Sequence, residues 1–162
     1  MVFLVFATKT ACRKKDAKGV DTMKKYVWLS LAVVGVIFIW GNSLQTAESS
    51  ECFSELFACL AENILQFFNV HEYLFVLDHI VRKLAHFTEF ALQGIFVYKA
   101  LRAFKIHNSF KLAFIMGVFT AAVDETIQLF VSGRASQISD VILDSCGALV
   151  GVLVIYWWEK NR

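Results

Sequence analysis

The chain has 162 residues, of which 57% are hydrophobic, and it contains 16 Phe, 4 Trp and no Pro. Soluble domains are about 45–50% apolar, so this composition predicts one integral membrane domain. The formal net charge is only +2, and the basic residues flank apolar runs instead of forming a face, which argues against nucleic-acid binding. The four cysteines show no CxxC or Cys/His spacing, so we interpret them as packing residues.

The N-terminal segment, residues 1–22, has a short apolar start followed by a basic, polar run. A secretory signal has the opposite order, with its basic residues before the apolar stretch. Met23, Lys24 and Lys25 then precede the first long apolar run, as at the start of many membrane proteins. We therefore predict a disordered extension over 1–22 and a membrane domain over 23–162, with Met23 as the natural start.

Four apolar runs each approach the roughly 20 residues that a helix needs to cross a bilayer. They extend from Tyr26 to about Leu44, from Arg82 to about Phe104, from about Phe110 to Phe130 and from about Ser139 to Trp158. Between the first two runs, residues 53–81 mix Phe and Leu with acidic residues at helical spacing. This pattern indicates one or two amphipathic helices that lie on the membrane surface or pack over the mouth of the bundle. The predicted fold is all-α, with four transmembrane helices and an amphipathic helical segment between the first and second spans.

Lysine and arginine are distributed unevenly around these spans. They precede the first span, flank the turn between the second and third, and end the chain, whereas residues 42–80 contain acidic residues but no Lys or Arg. Cytoplasmic loops of membrane proteins carry an excess of Lys and Arg. We therefore predict a multi-pass protein of the cytoplasmic membrane with both termini in the cytoplasm, so that the start of the second span and the segment 124–144 face outward.

Polar residues follow one face of three predicted spans at the outward end. Spacings of three and four residues place Arg82, His86, Glu89 and Gln93 on one side of the second helix, and the same holds for Asp124 and Gln128 on the third. The fourth span carries Gly147-xxx-Gly151, a spacing of small residues that lets a neighbouring helix approach closely. If these faces meet, they line one cavity open to the outer leaflet. Its predicted lining is Arg82, His86, Glu89, Asp124, Glu125, Gln128, Arg134, Asp140 and Asp144.

Carboxylates in such a low-dielectric place have to be paired, protonated or bound to a metal. Of two carboxyl groups that repel each other, one can keep its proton and serve as a general acid beside an ionised base. The same oxygens with one imidazole could instead hold a divalent cation, whose identity the sequence leaves unknown. The arginines could also neutralise the carboxylates in a structural network or grip a phosphate headgroup. The catalytic candidates are His86, Glu89, Asp124 and Glu125, and the substrate-binding candidates are Arg82, Gln128, Arg134, Ser136, Asp140 and Asp144.

These residues resemble the motifs of the VanZ-like family of bacterial membrane proteins. The matching pieces are 82–94, 124–128, the pair Gly133-Arg134 and the stripe Asp140-xxx-Asp144-xx-Gly147-xxx-Gly151. With the first span they cover most of residues 26–158. The family usually has proline before the Gly-Arg pair, where this chain has Ser132. The resemblance implies four spans and, because the family's name comes from a protein that gives low-level teicoplanin resistance, a role in glycopeptide susceptibility.

Three hypotheses for the function follow. In the first, the protein acts at the outer face of the cytoplasmic membrane on a lipid-linked or cell-wall component and reduces susceptibility to teicoplanin. In the second, it is a membrane-embedded hydrolase or transferase that uses the His/Glu/Asp/Arg cluster, so its being an enzyme stays open. In the third, it is a non-catalytic binding or scaffold protein with a structural polar network. The expected partner is a membrane lipid or lipid-linked envelope component, and the sequence does not specify the oligomeric state.

Overall fold

The computed structural model describes residues 2–44, 74–131 and 137–162, with side chains for 22–44, 80–131 and 137–162. Within these ranges lie four helices: α1 (Val2–Ser43), α2 (Leu74–Ala103), α3 (Ser109–Gln128) and α4 (Ile138–Lys160). All regular secondary structure within the described ranges is helical, which confirms the predicted all-α class. Of the amphipathic segment expected over 53–81, residues 53–73 lie outside the described residues, and residues 74–81 form the start of α2.

The ends of two helices differ from the predicted boundaries. α1 begins at Val2, so the backbone of the N-terminal segment is helical where the sequence favoured disorder. That segment has no proline and a single glycine, Gly19, so it contains little that would break a helix. α2 begins at Leu74, before the predicted start at Arg82. Whether residues 1–22 are a separate extension of the membrane domain stays a prediction.

Among the described residues, two helical segments are long and apolar enough to cross a membrane by length and composition. They cover Thr22–Ser43 and Ile138–Lys160. α3 has a suitable length, but it carries Lys111, Asp124 and Glu125 within 20 residues. The apolar sequence of α2 is also interrupted by charged residues. The prediction of four long helices is therefore confirmed, whereas their crossing the membrane four times stays a prediction.

The helices form a bundle in which α2 and α4 run parallel and α1 and α3 run in the opposite direction. Lys83 Nζ lies 2.8 Å from Asp140 Oδ1, and Lys99 Nζ lies 2.7 Å from Glu159 Oε1, so the two ion pairs occur in the same order along α2 and α4. The bundle has two ends. We call them the polar end, formed by residues 42–44, 82–89, 124–131 and 137–144, and the basic end, formed by residues 24–28, 99–111 and 156–162.

Glycines allow α2 and α4 to approach each other closely. A Cβ atom added at Gly147 would lie 2.5 Å from the carbonyl oxygen of Phe87, and one added at Gly151 would collide with the carbonyl group of Ala91. Small residues at such contacts let two helix backbones pack directly against each other in membranes. The close approach predicted from the Gly147-xxx-Gly151 spacing is thus present, and its neighbour is α2.

Aromatic and basic side chains gather at the basic end. Lys99 Nζ lies 5.6 Å from the ring centre of Trp28 and 5.2 Å from that of Trp158. The guanidinium of Arg162 lies 4.8 Å from the Trp158 ring. Lysine, arginine and tryptophan are the residues that anchor membrane proteins at the interface between lipid and water. This end of the bundle is therefore suited to an interface, and the polar end lies at the opposite side of the apolar core.

Candidate functional site

The polar end contains a group of side chains, five of them buried and His86 and Glu89 half-buried, that we call the polar cluster. Its members are Ser43, His86, Glu89, Asp124, Glu125, Gln128 and Asp144. Asp124 has no exposed surface. Ser43 Oγ donates to Asp124 Oδ1 at 2.5 Å, and Gln128 Nε2 donates to Asp124 Oδ2 at 2.9 Å. Gln128 Nε2 also lies 3.3 Å from Ser43 Oγ, which closes a ring of hydrogen bonds between α1 and α3. Both oxygens of the Asp124 carboxyl group are thereby held in place.

His86 on α2 and Asp144 on α4 face the same space. Asp144 Oδ2 lies 4.0 Å from His86 Nδ1, which is too long for a hydrogen bond. Asp144 is 2% exposed, and its Oδ1 has no hydrogen-bond partner within the described part of the chain. His86, Asp124 and Asp144 each offer one ligand atom, a ring nitrogen or a carboxylate oxygen, and these three atoms lie within 4.8 Å of one another. Three helices thus bring one imidazole and two carboxyl groups together.

Two further acidic residues complete the cluster, with different partners. Glu125 is 5% exposed, and its Oε1 accepts a hydrogen bond from the backbone N–H of Gln137, just before α4. This contact ties the start of α4 to α3. Glu89 Oε1 lies 3.5 Å from Asn42 Nδ2 at the end of α1. Glu125 therefore has a visible structural role, whereas the contact of Glu89 with Asn42 is long.

The rim of the polar end carries charged residues that are partly exposed. Asp140, a predicted binding residue, forms its ion pair with Lys83, a cation that the sequence analysis did not assign to the site. Arg82 precedes Lys83 on α2 and is half-buried. Arg134 and Ser136 lie outside the described residues, so their place in the site stays a prediction.

The structure adds α1 to the site, which the sequence analysis did not foresee. Asn42 and Ser43 end the charge-free run of α1 and contact Glu89 and Asp124. The only signal in the sequence is a pair of adjacent polar residues after a long apolar run. Gln93, expected on the face of His86 and Glu89, donates instead to the carbonyl oxygen of Ala32 at 3.0 Å and fixes α2 to α1 below the cluster.

The described part of the polar end holds more carboxyl groups than basic side chains. Asp144 is within electrostatic reach of Asp124, Asp140, Glu125 and Glu89. Buried charges in proteins are paired or coordinate metals, because leaving them alone in a low dielectric is costly. The arrangement can therefore attract a cation, offer acid and base groups to a bound molecule, or hold the helices together through hydrogen bonds.

Comparison with known proteins gives a family match. The sequence pattern that defines the VanZ/LLP1 family matches residues 27–159, a range that contains the whole polar cluster and nearly all of α4. No curated protein and no solved structure matches the chain significantly. The family match covers most of the chain, and the family is one of membrane-associated proteins, in keeping with the two apolar helices. The chain therefore belongs to the VanZ/LLP1 family.

Proposed function

We propose that the protein binds a lipid-linked or cell-wall component in the polar cluster, at the outer face of the bacterial cytoplasmic membrane, and so reduces susceptibility to teicoplanin. The observation that carries this proposal is the buried polar cluster itself, to which all four helices contribute. Ionisable residues inside a membrane are costly and are functional by default. Membership of the family supports the membrane location, and the resemblance to VanZ supports the link to teicoplanin.

The distribution of charge supports the outward orientation of the polar cluster. The basic end carries Lys99, Arg102, Arg162 and two Trp rings, as expected for a cytoplasmic interface under the positive-inside rule. The polar end is richer in carboxyl groups. With two or four crossings, both termini then lie in the cytoplasm, and the cluster is open to the outer leaflet.

The chemistry of the cluster favours a headgroup with both anionic and hydroxyl or amino groups. Lys83 and Arg82 at the rim are suited to phosphate oxygens. The carboxyl groups of half-buried Glu89 and buried Asp144 are suited to accept hydrogen bonds from hydroxyl or amino groups, which sugars and peptides carry. Lipid-linked precursors of the cell wall combine these groups in one molecule.

A membrane-embedded hydrolase or transferase is the second candidate, and the pairing of His86 with Asp144 favours it. An imidazole beside a carboxyl group is a common acid/base unit, and catalytic hydrogen bonds are often long until substrate binds. In this case His86 would relay protons, and Glu89 with Asp124 or Glu125 would supply the acid and the base. Arg134 would hold the phosphate or anionic headgroup.

Teicoplanin susceptibility of cells that express the wild type or Asp124→Asn tests the proposal. We expect Asp124→Asn to abolish the protection that the wild type gives. Glu159→Gln is the matched control, since it makes the same change in a partly buried, ion-paired carboxyl group at the basic end, and it should keep full protection. Membrane abundance and melting temperature are measured for each variant. Equal protection by Asp124→Asn and Glu159→Gln would contradict the proposal.

A second set of variants separates the hypotheses. The variants are Glu89→Gln, Asp124→Asn and Arg134→Ala. If all three lose protection but keep their abundance and stability, the result supports specific binding or chemistry. Turnover or exchange of a lipid-linked precursor by the wild type, and loss of that activity in His86→Gln, would favour the enzyme. Equal loss of folding in all three variants would assign the cluster to a structural network and refute the active-site interpretation.

A further inference from the structure

We propose that His86, Asp124 and Asp144 form a binding site for a divalent transition-metal ion of the Zn²⁺ type. The three residues come from α2, α3 and α4, and one ligand atom of each lies within 4.8 Å of the others. Sites built from side chains on rigid helices hold their geometry well. The inference deepens the proposed function, and it rests on that function only for the outward position of the site and for the molecule that meets the ion.

The distance between His86 and Asp144 fits a shared ion better than a direct contact. The two atoms, Nδ1 and Oδ2, are 4.0 Å apart, beyond the reach of a hydrogen bond. Zinc is bound by His nitrogen and carboxylate oxygen at about 2.0–2.2 Å, which puts neighbouring ligand atoms roughly 3–4 Å from each other. The separation of the imidazole nitrogen and the carboxyl oxygen is therefore compatible with one ion bound to both.

Asp144 provides an independent observation that a ligand is needed. Its side chain is 3% exposed, and its Oδ1 has no hydrogen-bond partner among the residues that the structure describes. A buried carboxyl oxygen without a partner loses its hydration and gains nothing in return. Besides His86, several groups within electrostatic reach of Asp144 are themselves carboxyls, among them Asp124 and Glu125. A divalent cation between Asp144 and Asp124 removes both problems at once.

Asp124 is held in the way that metal ligands usually are. Ser43 and Gln128 each donate a hydrogen bond to one of its oxygens, and each oxygen keeps a further lone pair for an ion. Ligating carboxylates are commonly oriented by such outer hydrogen bonds, whose loss typically costs 10–100-fold in metal affinity. The ring of hydrogen bonds around Asp124 thus orients this ligand before an ion arrives.

The donor set indicates which ions fit. Imidazole favours Zn²⁺ and similar first-row metals, whereas Mg²⁺ and Ca²⁺ prefer oxygen ligands alone. Cys146 lies on α4 but is exposed, so it adds no thiolate. Three protein ligands leave a fourth position for water or substrate, the arrangement typical of zinc sites that act on other molecules. Under the proposed function, that position would receive a phosphate or carboxylate oxygen of the headgroup.

The test measures metal binding to the purified full-length chain in detergent. The wild type is stripped with a chelator, incubated with Zn²⁺, separated from free metal and assayed by elemental analysis. We expect about one tightly bound Zn²⁺ per chain that millimolar Mg²⁺ or Ca²⁺ does not displace. If the wild type retains no stoichiometric Zn²⁺, the inference is overturned, whatever the variants do. Protons or another side chain would then neutralise Asp124 and Asp144.

Variants then locate the ion. His86→Gln and Asp144→Asn should weaken Zn²⁺ binding at least 100-fold, Ser43→Ala about 10–100-fold, and Glu159→Gln not at all. Unchanged binding in His86→Gln and Asp144→Asn would place the ion elsewhere and overturn the inference. Susceptibility assays keep the two proposals apart. Protection that depends on Asp124 in a chain that binds no metal refutes only the metal site, whereas Zn²⁺ bound by a chain that gives no protection refutes only the function.

Discussion

Substitution of Gly151 by alanine probes the contact that sets the distance between α2 and α4. The added Cβ would collide with the carbonyl oxygen of Ala91 and lie 2.7 Å from its carbon and 2.9 Å from its Cα. Ordinary contacts between carbon atoms are about 3.5–4.0 Å, so the α2 backbone has to retreat by about 1 Å. Backbone atoms cannot rotate away as the end of a side chain can, so the cost falls on the packing of both helices.

The expected size of the effect follows from two opposing terms. Overpacking costs typically 1–3 kcal/mol, and a collision with backbone belongs at the upper end of that range. Alanine in a helix is better than glycine by about 1 kcal/mol. The net destabilisation is therefore about 2 kcal/mol, which corresponds to a fall in melting temperature of roughly 4–8 °C for a chain of this size.

The assay is thermal unfolding of the purified protein in detergent, with Gly41→Ala as the matched control. Gly41 lies in α1, and an added Cβ there has nothing within 4 Å. This control should gain up to about 1 kcal/mol from helix propensity alone. If Gly151→Ala melts at or above the temperature of Gly41→Ala, the direct contact of α2 with α4 is wrong, and with it the relative placement of His86 and Asp144.

Two further predictions test the polar cluster and its side of the membrane. Ser43→Ala should destabilise the fold by about 1–3 kcal/mol, because it removes the donor to Asp124 and the acceptor of Gln128 inside a buried network. Thermal unfolding of Ser43→Ala, Asp124→Asn and the double variant should show that the two effects are not additive. Additive losses would mean that the two side chains do not interact. Ser139→Cys, in a background without the native cysteines, should react with an impermeant thiol reagent in intact cells, whereas Asn161→Cys should react only after permeabilisation. The reverse pattern would refute the proposed orientation.

Much of the site could be predicted from the sequence because polar residues are conspicuous in apolar helices. Residues spaced three or four apart share a helical face, so Asp124 and Gln128 had to lie together, as did His86 and Glu89. Small residues one turn apart, Gly147 and Gly151, indicated where another helix comes close. Periodicity within a helix was sufficient for these predictions, and the structure places His86, Asp124 and Asp144 in one group.

Other features depend on how helices are placed along and around each other, which periodicity does not specify. Ser43 reaches Asp124 only because α1 ends at the level of α3's last turn. Lys83 pairs with Asp140 because α2 and α4 run parallel at matching heights. Gln93 donates its side-chain amide to the Ala32 carbonyl instead of joining the cluster, since its turn of α2 faces α1. Such contacts need the relative rotation and height of two helices, which one sequence does not reveal.

The contact of Lys99 with Trp28 and Trp158 sets a depth for the polar cluster. Along α2 and α4, the rise of 1.5 Å per residue separates this level from His86 and Asp144 by about 20 Å. A hydrocarbon core is about 30 Å thick, so with Lys99 at the inner interface the cluster sits about 10 Å below the outer one. A headgroup floating at the surface cannot reach it from there. Under the proposed function and orientation, the molecule that binds there must insert its polar part between the helices, or the protein must thin the bilayer around its polar end.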